Sequence, residues 1–258
     1  MAKHNDSWNK IIEDYKILNH DFNNSHFVLS AEQIKISCQN FKKTAEKEVR
    51  ILCKQDSRED RPQIFIDNNL FLLPIKNGSY CIVKGEGYVD IEEITSEVLT
   101  YDSKLDFRLV TSEVGNSEMQ HLDFAYASSL IRTFMNDSSL LLTIRGRKYT
   151  PEFSFKVGNA SIKVNSVQTE VDAGYEGRDK IVLIEAKNSK TTNTIIRQLF
   201  YPYKQWKNYT DKEVFLLFFE KQGNHYNIWQ YGFTDENDYN SIKLIKSAKY
   251  QIIGQNSI

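Results

Sequence analysis

Asp172, Glu185 and Lys187 place two carboxylates and an ammonium close together in the chain. Like charges at short range raise each other's pKa or attract a cation. An all-oxygen donor set without histidine or thiolate suits a hard ion such as Mg²⁺ or Mn²⁺. A lysine beside such an ion can orient a water or stabilise charge growing on a phosphoryl group. That inventory fits metal-assisted hydrolysis of a phosphodiester.

The elements that must position these groups are two short strands. Ile181 to Ile184 is a continuous apolar run, as in a strand buried on both faces. Side chains alternate along a strand, so Glu185 and Lys187 leave one face and Ala186 the other. The same period groups Glu170 with Asp172, opposite Val167, Thr169 and Val171. Gly174, Gly177 and Arg178-Asp179 supply a turn between the runs. With Arg178-Asp179 as the loop pair, Asp172 falls across from Glu185; with Gly177-Arg178, Glu170 takes that place.

Asp172, followed by Glu185-Ala186-Lys187 after an apolar run, resembles the PD-(D/E)XK nuclease motif. The segment from Ile195 to Trp206 resembles the helix after the catalytic strand in a group of type II restriction endonucleases. Val171 stands where the motif's proline would be. The resemblance implies an α/β core, a mixed sheet flanked by helices, cutting double-stranded DNA at a specific sequence. It implies Mg²⁺, with Mn²⁺ able to substitute, held by Asp172, Glu185 and the Ala186 carbonyl, with Glu170 as the fallback ligand. Lys187 and Gln198 complete the catalytic set, and the products carry 5′-phosphate and 3′-hydroxyl ends. Glu118 or Asp123, at the start of a preceding helix, is a further candidate ligand. Also implied are a homodimer on two-fold symmetric targets and a cognate DNA methyltransferase in the same system without direct contact, while the unpaired Cys38, Cys53 and Cys81 lead to the expectation of a cytoplasmic location. A PD-(D/E)XK nuclease of repair, mobile-element or phage-defence type, or a non-catalytic DNA-binding module, remains the alternative.

The net charge of −1 over 258 residues gives no overall basic balance. The basic groups are instead clustered. Between Arg145 and Lys163 there are five basic residues and one acidic. Arg145, Arg147 and Lys148 are DNA-contact candidates there, because the arginine fork suits phosphate or guanine edges. Lys43, Arg50 and Arg58 are further candidates on an N-terminal helix and loop. The three cysteines have no paired spacing and the five histidines are scattered, so neither disulfides nor a zinc site is expected. No apolar run reaches membrane-spanning length.

The periodicity reads helical and then β-hairpin in the N-terminal half, and the resemblance to two-part endonucleases implies a DNA-recognition module over 1–118 and a catalytic domain over 119–258. Ser7 is expected to cap a first helix. Ser30-Ala-Glu-Gln33 reads as a capping box opening a helix whose apolar stripe runs to Val49. Lys76-Asn77-Gly78 predicts a hairpin turn, and residues 122–136 a third helix. Ile162 and Val164 are expected to lead into the Asp172 strand. Thr192 or Asn193 is expected to cap the next helix, and Pro202 to kink it or make it restart around Tyr203.

Overall fold

The computed structural model describes residues 4–254. Its first helix, α1 (Asn5–Asp14), buries Trp8, Ile11 and Ile12. Ser7 does not cap it: the helix begins behind His4, and the buried Ser7 hydroxyl donates to the Glu46 carbonyl at 2.6 Å. Strand β1 (Phe27–Ser30) runs into α2 (Ala31–Cys38), where the Ser30/Gln33 capping box forms as expected, with bonds of 3.1 and 2.8 Å. The long stripe to Val49 is not one helix. It is divided among α2, α3 (Thr44–Lys47) and α4 (Val49–Leu52), which with α5 (Gln63–Asp67) wrap one core around Trp8, Ile34 and Phe65. Core packing overrides the local helical pattern here.

Strands β2 (Leu70–Lys76) and β3 (Ser79–Lys84) form the expected hairpin, with Gly78 at φ 75° supplying the left-handed turn position. With β1 they make a three-stranded sheet, order β1-β3-β2. Next come β4 (Tyr88–Asp90), β5 (Leu99–Asp102), α6 (Glu118–Ala127) and α7 (Leu130–Phe134). The expected helix over 122–136 is thus two, broken where Ser129 adopts φ 68°.

The remaining elements are β6 (Leu141–Tyr149), β7 (Phe153–Val157), β8 (Ala160–Val164), β9 (Gln168–Glu176), β10 (Lys180–Lys187), β11 (Asn193–Ile195), α8 (Arg197–Tyr209), β12 (Glu213–Gln222), β13 (His225–Phe233) and β14 (Ile242–Ile253). Strand β8 does not lead straight into β9; it pairs with β7 in a separate two-stranded sheet, and Ser166 at φ 55° turns the chain. The large sheet has seven strands in the order β5-β14-β13-β12-β10-β9-β6. Among the described residues of this sheet, only β10–β12 and β14–β5 pair in parallel. Helix α8 makes the crossover from β10 to β12, as a parallel pair requires. Strand β5, which lies before residue 118, supplies the outer edge of this sheet.

Each face of the sheet has its own core. Val182, Ile184 and Ala186 pack with Leu122, Leu130 and Phe134 of α6 and α7. Ile181, Leu183 and Leu216 pack on the other face with Leu199 of α8. The protein is therefore a mixed α/β chain with helices on both faces of its main sheet. Helix α8 runs through Pro202 instead of restarting there; the proline lies in its second turn, buried against the core.

Gly174 of β9 is closely packed. A Cβ there would stand 2.7 Å from Ile144 Cβ and 3.1 Å from Leu183 Cδ2. Gly174→Ala is expected to destabilise the fold by about 1–3 kcal/mol, the usual penalty for overpacking. A urea midpoint equal to that of the unaltered protein would contradict this.

Candidate active site

The hairpin register is the one that faces the two carboxylates. Ile184 pairs with Ala173 and Ile181 with Glu176, and Gly177 N–H donates to the Lys180 carbonyl at 2.8 Å, leaving Arg178 and Asp179 as the loop pair. Asp172 is therefore the next residue across from Glu185. The backbone ladder stops there, and the Asp172 carboxylate takes its place: Oδ2 accepts from the Ala186 N–H at 2.7 Å.

A β-bulge produces this change. On β6 the step from Ile144 to Gly146 is two residues, whereas on β9 the matching step from Gly174 to Val171 is three. The extra residue reverses the alternation, so Val171 packs with the α8-side core and Ala173 with the opposite one. Bulges commonly re-aim a side chain in this way. The expected one-face pairing of Glu170 with Asp172 is thereby broken, and Glu170 pairs with Arg147 at 3.2 Å. The fallback ligand role of Glu170 belonged to a register the chain does not adopt.

Lys187 completes the cluster. Its ammonium bonds to Glu185 Oε1 and donates to the Ala186 carbonyl at 3.1 Å. Burial pushes the Glu185 carboxyl up to about 7, against the pull of Lys187 and with a further push from Asp172. Burial also raises Asp172, opposed by the Ala186 N–H and by Lys187. Burial works against the Lys187 ammonium, yet the Glu185 carboxylate outweighs it and the net shift is upward. The loop after Lys187 is held by Thr191 N–H donating to Glu220 Oε2 at 2.8 Å.

The cluster lies on a cleft of about 860 Å³ between the large sheet and the N-terminal elements. Asp172, Glu185, Lys187, Gln198, Glu170, Arg147 and Arg50 all line it. The other expected contacts lie elsewhere. Arg145 is paired with Asp123, and Lys148 is exposed farther along β6. Lys43 is an exposed partner of Glu46 at 3.0 Å. Arg58 is held by Asp90, by Glu86 at 3.4 Å and by the Tyr88 carbonyl at 3.4 Å, tying its loop to β4. The candidate ligand Glu118 lines the cleft too, as do charged residues outside the expected set, Lys54, Asp56, Lys76 and Arg197. Lys76 stands beside the Asn77-Gly78 turn, a signal already visible in the sequence. Nothing local distinguishes Arg197, which is brought in by the start of α8.

Among the described residues, no group of three or more His, Cys, Asp or Glu side chains is assembled to hold a metal ion. Asp172 and Glu185 nonetheless fit Mg²⁺, which uses one or two carboxylates and keeps waters or phosphate oxygens as its other ligands. The Lys187 ammonium already bonds to Glu185 and the Ala186 carbonyl, so these oxygens form a cation-receiving pair. Because the Glu185 carboxyl is raised to about 7, a proton competes with any divalent ion below that pH. Mn²⁺ affinity is expected to fall when pH is lowered from about 8 to about 6. Mn²⁺ titration followed by electron paramagnetic resonance measures this, and equal affinity at both would contradict it.

The family model described as a domain of unknown function, DUF6997, matches residues 83–251. The chain belongs to the DUF6997 family. A second model, also a domain of unknown function, DUF6996, matches residues 5–82. No curated protein and no solved structure matches the chain. Asp172, Glu185, Lys187 and Arg197 lie in the DUF6997 segment, whereas Arg50, Lys54 and Lys76 lie in the DUF6996 segment, so the cleft is built by both. No helix among the described residues is long and apolar enough to cross a membrane.

Proposed function

We propose that the protein is a Mg²⁺-dependent PD-(D/E)XK endonuclease that cuts double-stranded DNA at a specific sequence, in the manner of a type II restriction enzyme. The observation that carries this reading is Asp172 across from Glu185 on a cleft wall, with Lys187 in contact with Glu185. The two-faced mixed sheet, with α8 linking the parallel pair β10–β12, is compatible with the core that such enzymes use.

Asp172, Glu185 and the Ala186 carbonyl would hold Mg²⁺, or Mn²⁺ in its place. When bound, the ion lowers the pKa of a coordinated water and neutralises charge on the scissile phosphate. The Lys187 ammonium, moving off Glu185, donates to the attacking water or to a phosphate oxygen. Gln198 Oε1 accepts from Thr194 Oγ1 at 2.7 Å, which leaves the amide nitrogen to donate toward the cleft. In-line attack would release 5′-phosphate and 3′-hydroxyl ends. A two-fold symmetric target would engage a homodimer. A cognate DNA methyltransferase and a cytoplasmic location belong to the same proposal.

Incubation with unmethylated phage DNA, with and without Mg²⁺, tests this. Discrete fragments only in the presence of Mg²⁺ are expected. Nicks or smears would favour a nuclease without a fixed sequence. Gel shifts without any product would favour a binding module. The raised carboxyls speak against that last reading, because a binder has no use for a buried acid beside a half-buried one.

A further inference from the structure

Six cations and five acids line the cleft. Four of the acids lie near the catalytic corner: Asp172 and Glu185 with Lys187, Glu170 with Arg147, and Glu118, whose charge acts on Lys187. The fifth, Asp56, comes from the opposite, N-terminal wall. Its carboxylate sits between two cations, with Oδ1 3.4 Å from Arg197 Nη2 and Oδ2 3.8 Å from Lys54 Nζ. Arg197 is the first residue of α8 and Lys54 follows α4, so one carboxylate joins both sides of the cleft.

We propose that Asp56 stands in for a DNA phosphate, and that Arg197 and Lys54 are the phosphate-binding pair that it occupies in the free protein. The proposal rests on the nucleic-acid reading above and deepens it by naming a backbone-contact site. A carboxylate and a phosphodiester offer the same pair of anionic oxygens to a guanidinium and an ammonium. Both ion pairs are long, and both cations keep contact with solvent, the Lys54 side chain at 71% exposure and the Arg197 side chain at 23%. The pair with the exposed Lys54 contributes little to stability and is readily exchanged. The Asp56 main chain is fixed independently, since its carbonyl accepts from Ile195 N–H at 2.9 Å. Exchange therefore moves side chains only.

The neighbouring residue points to a ligand on its own account. Gln55 lines the same cleft and is 2% exposed, yet neither atom of its side-chain amide has a hydrogen-bond partner among the described residues. Buried amides are normally paired. A phosphate or sugar edge drawn in by Lys54 and Arg197 supplies that partner once Lys54 swings away from Asp56.

The test is binding of a fluorescent duplex by the full chain without divalent metal, read by anisotropy across a salt series. Asp56→Asn removes the competing charge and keeps the shape. It is expected to bind roughly fivefold tighter at low salt, the effect of one unit charge at short range in a watery site. Arg197→Ala is expected to weaken binding and to reduce the salt slope by about 0.9, one phosphate contact. Unchanged thermal melting of both variants controls for folding. Asp56→Asn binding that is equal or weaker, or an unchanged salt slope in Arg197→Ala, would overturn the proposal. Duplex binding that follows these expectations without any Mg²⁺-dependent cleavage would leave this site standing and remove the nuclease reading. Absence of any duplex binding would remove both.

Discussion

Asp172→Ala and Lys187→Ala are each expected to lower Mg²⁺-dependent DNA cleavage by at least about 10³-fold while leaving duplex binding in place. The magnitude follows from removing a group that acts on charge developing in the transition state, where one preorganised donor contributes about 10²–10³ and a metal ligand more. The alanine variant of Asp172 has a second effect, because it also leaves the Ala186 N–H, bonded at 2.7 Å to Asp172 Oδ2, without its acceptor. Asp172→Asn separates the two effects: its amide oxygen still accepts from that N–H, but the charge is gone. Cleavage should be lost in Asp172→Asn with melting unchanged. For Lys187, Lys187→Met keeps the length of the buried stem and removes the ammonium. Single-turnover assays with oligonucleotide duplexes measure both, and Mg²⁺-dependent product from Asp172→Asn or Lys187→Met at the unaltered rate would refute the assigned roles.

Phe200→Ala is expected to have the largest effect on stability, about 3–5 kcal/mol, as for other aromatic residues removed from a core. Phe200 is fully buried in α8, with the rings of Phe155 and Phe233 each at 4.9 Å and that of Tyr239 at 5.3 Å. Tyr239 in turn stacks on Phe71 of β2, 5.9 Å away. The aromatic cluster thus links α8 to the N-terminal sheet, and both walls of the cleft rest on it. Loss of this ring should lower the urea midpoint and loosen DNA binding together. A midpoint shift below the equivalent of about 1 kcal/mol would show that the cluster repacks around the gap.

Some features of the site depend on neighbours only a few residues away, and these were legible from residue order. The apolar run before Glu185, the Asn77-Gly78 hairpin turn and the Ser30/Gln33 capping box all express preferences of the local backbone, and all are present. The choice between two hairpin registers was visible as a choice but not resolved. A two-residue shift keeps every side chain on the same face, so alternation alone cannot distinguish the two. The helical stripe from Ile34 to Val49 misled because a 3.6-residue period persists even when the chain is cut into short turns around one core.

The sequence by itself determined that two acids and a lysine would meet at the end of an apolar strand pair, since chain order and a tight turn suffice for that. Tertiary structure decided three further things. The hairpin register set Asp172 across from Glu185, and a bulge opposite Ile144–Gly146 left Glu170 to Arg147. Packing of α8 brought Arg197 to Asp56, 141 residues away in the chain. The N-terminal hairpin and the turn after α4 closed the opposite wall with Lys76, Lys54 and Gln55. Each of these joins segments whose separation in sequence carries no local signal, because the free energy that holds them together comes from burying surfaces that meet only in the folded chain.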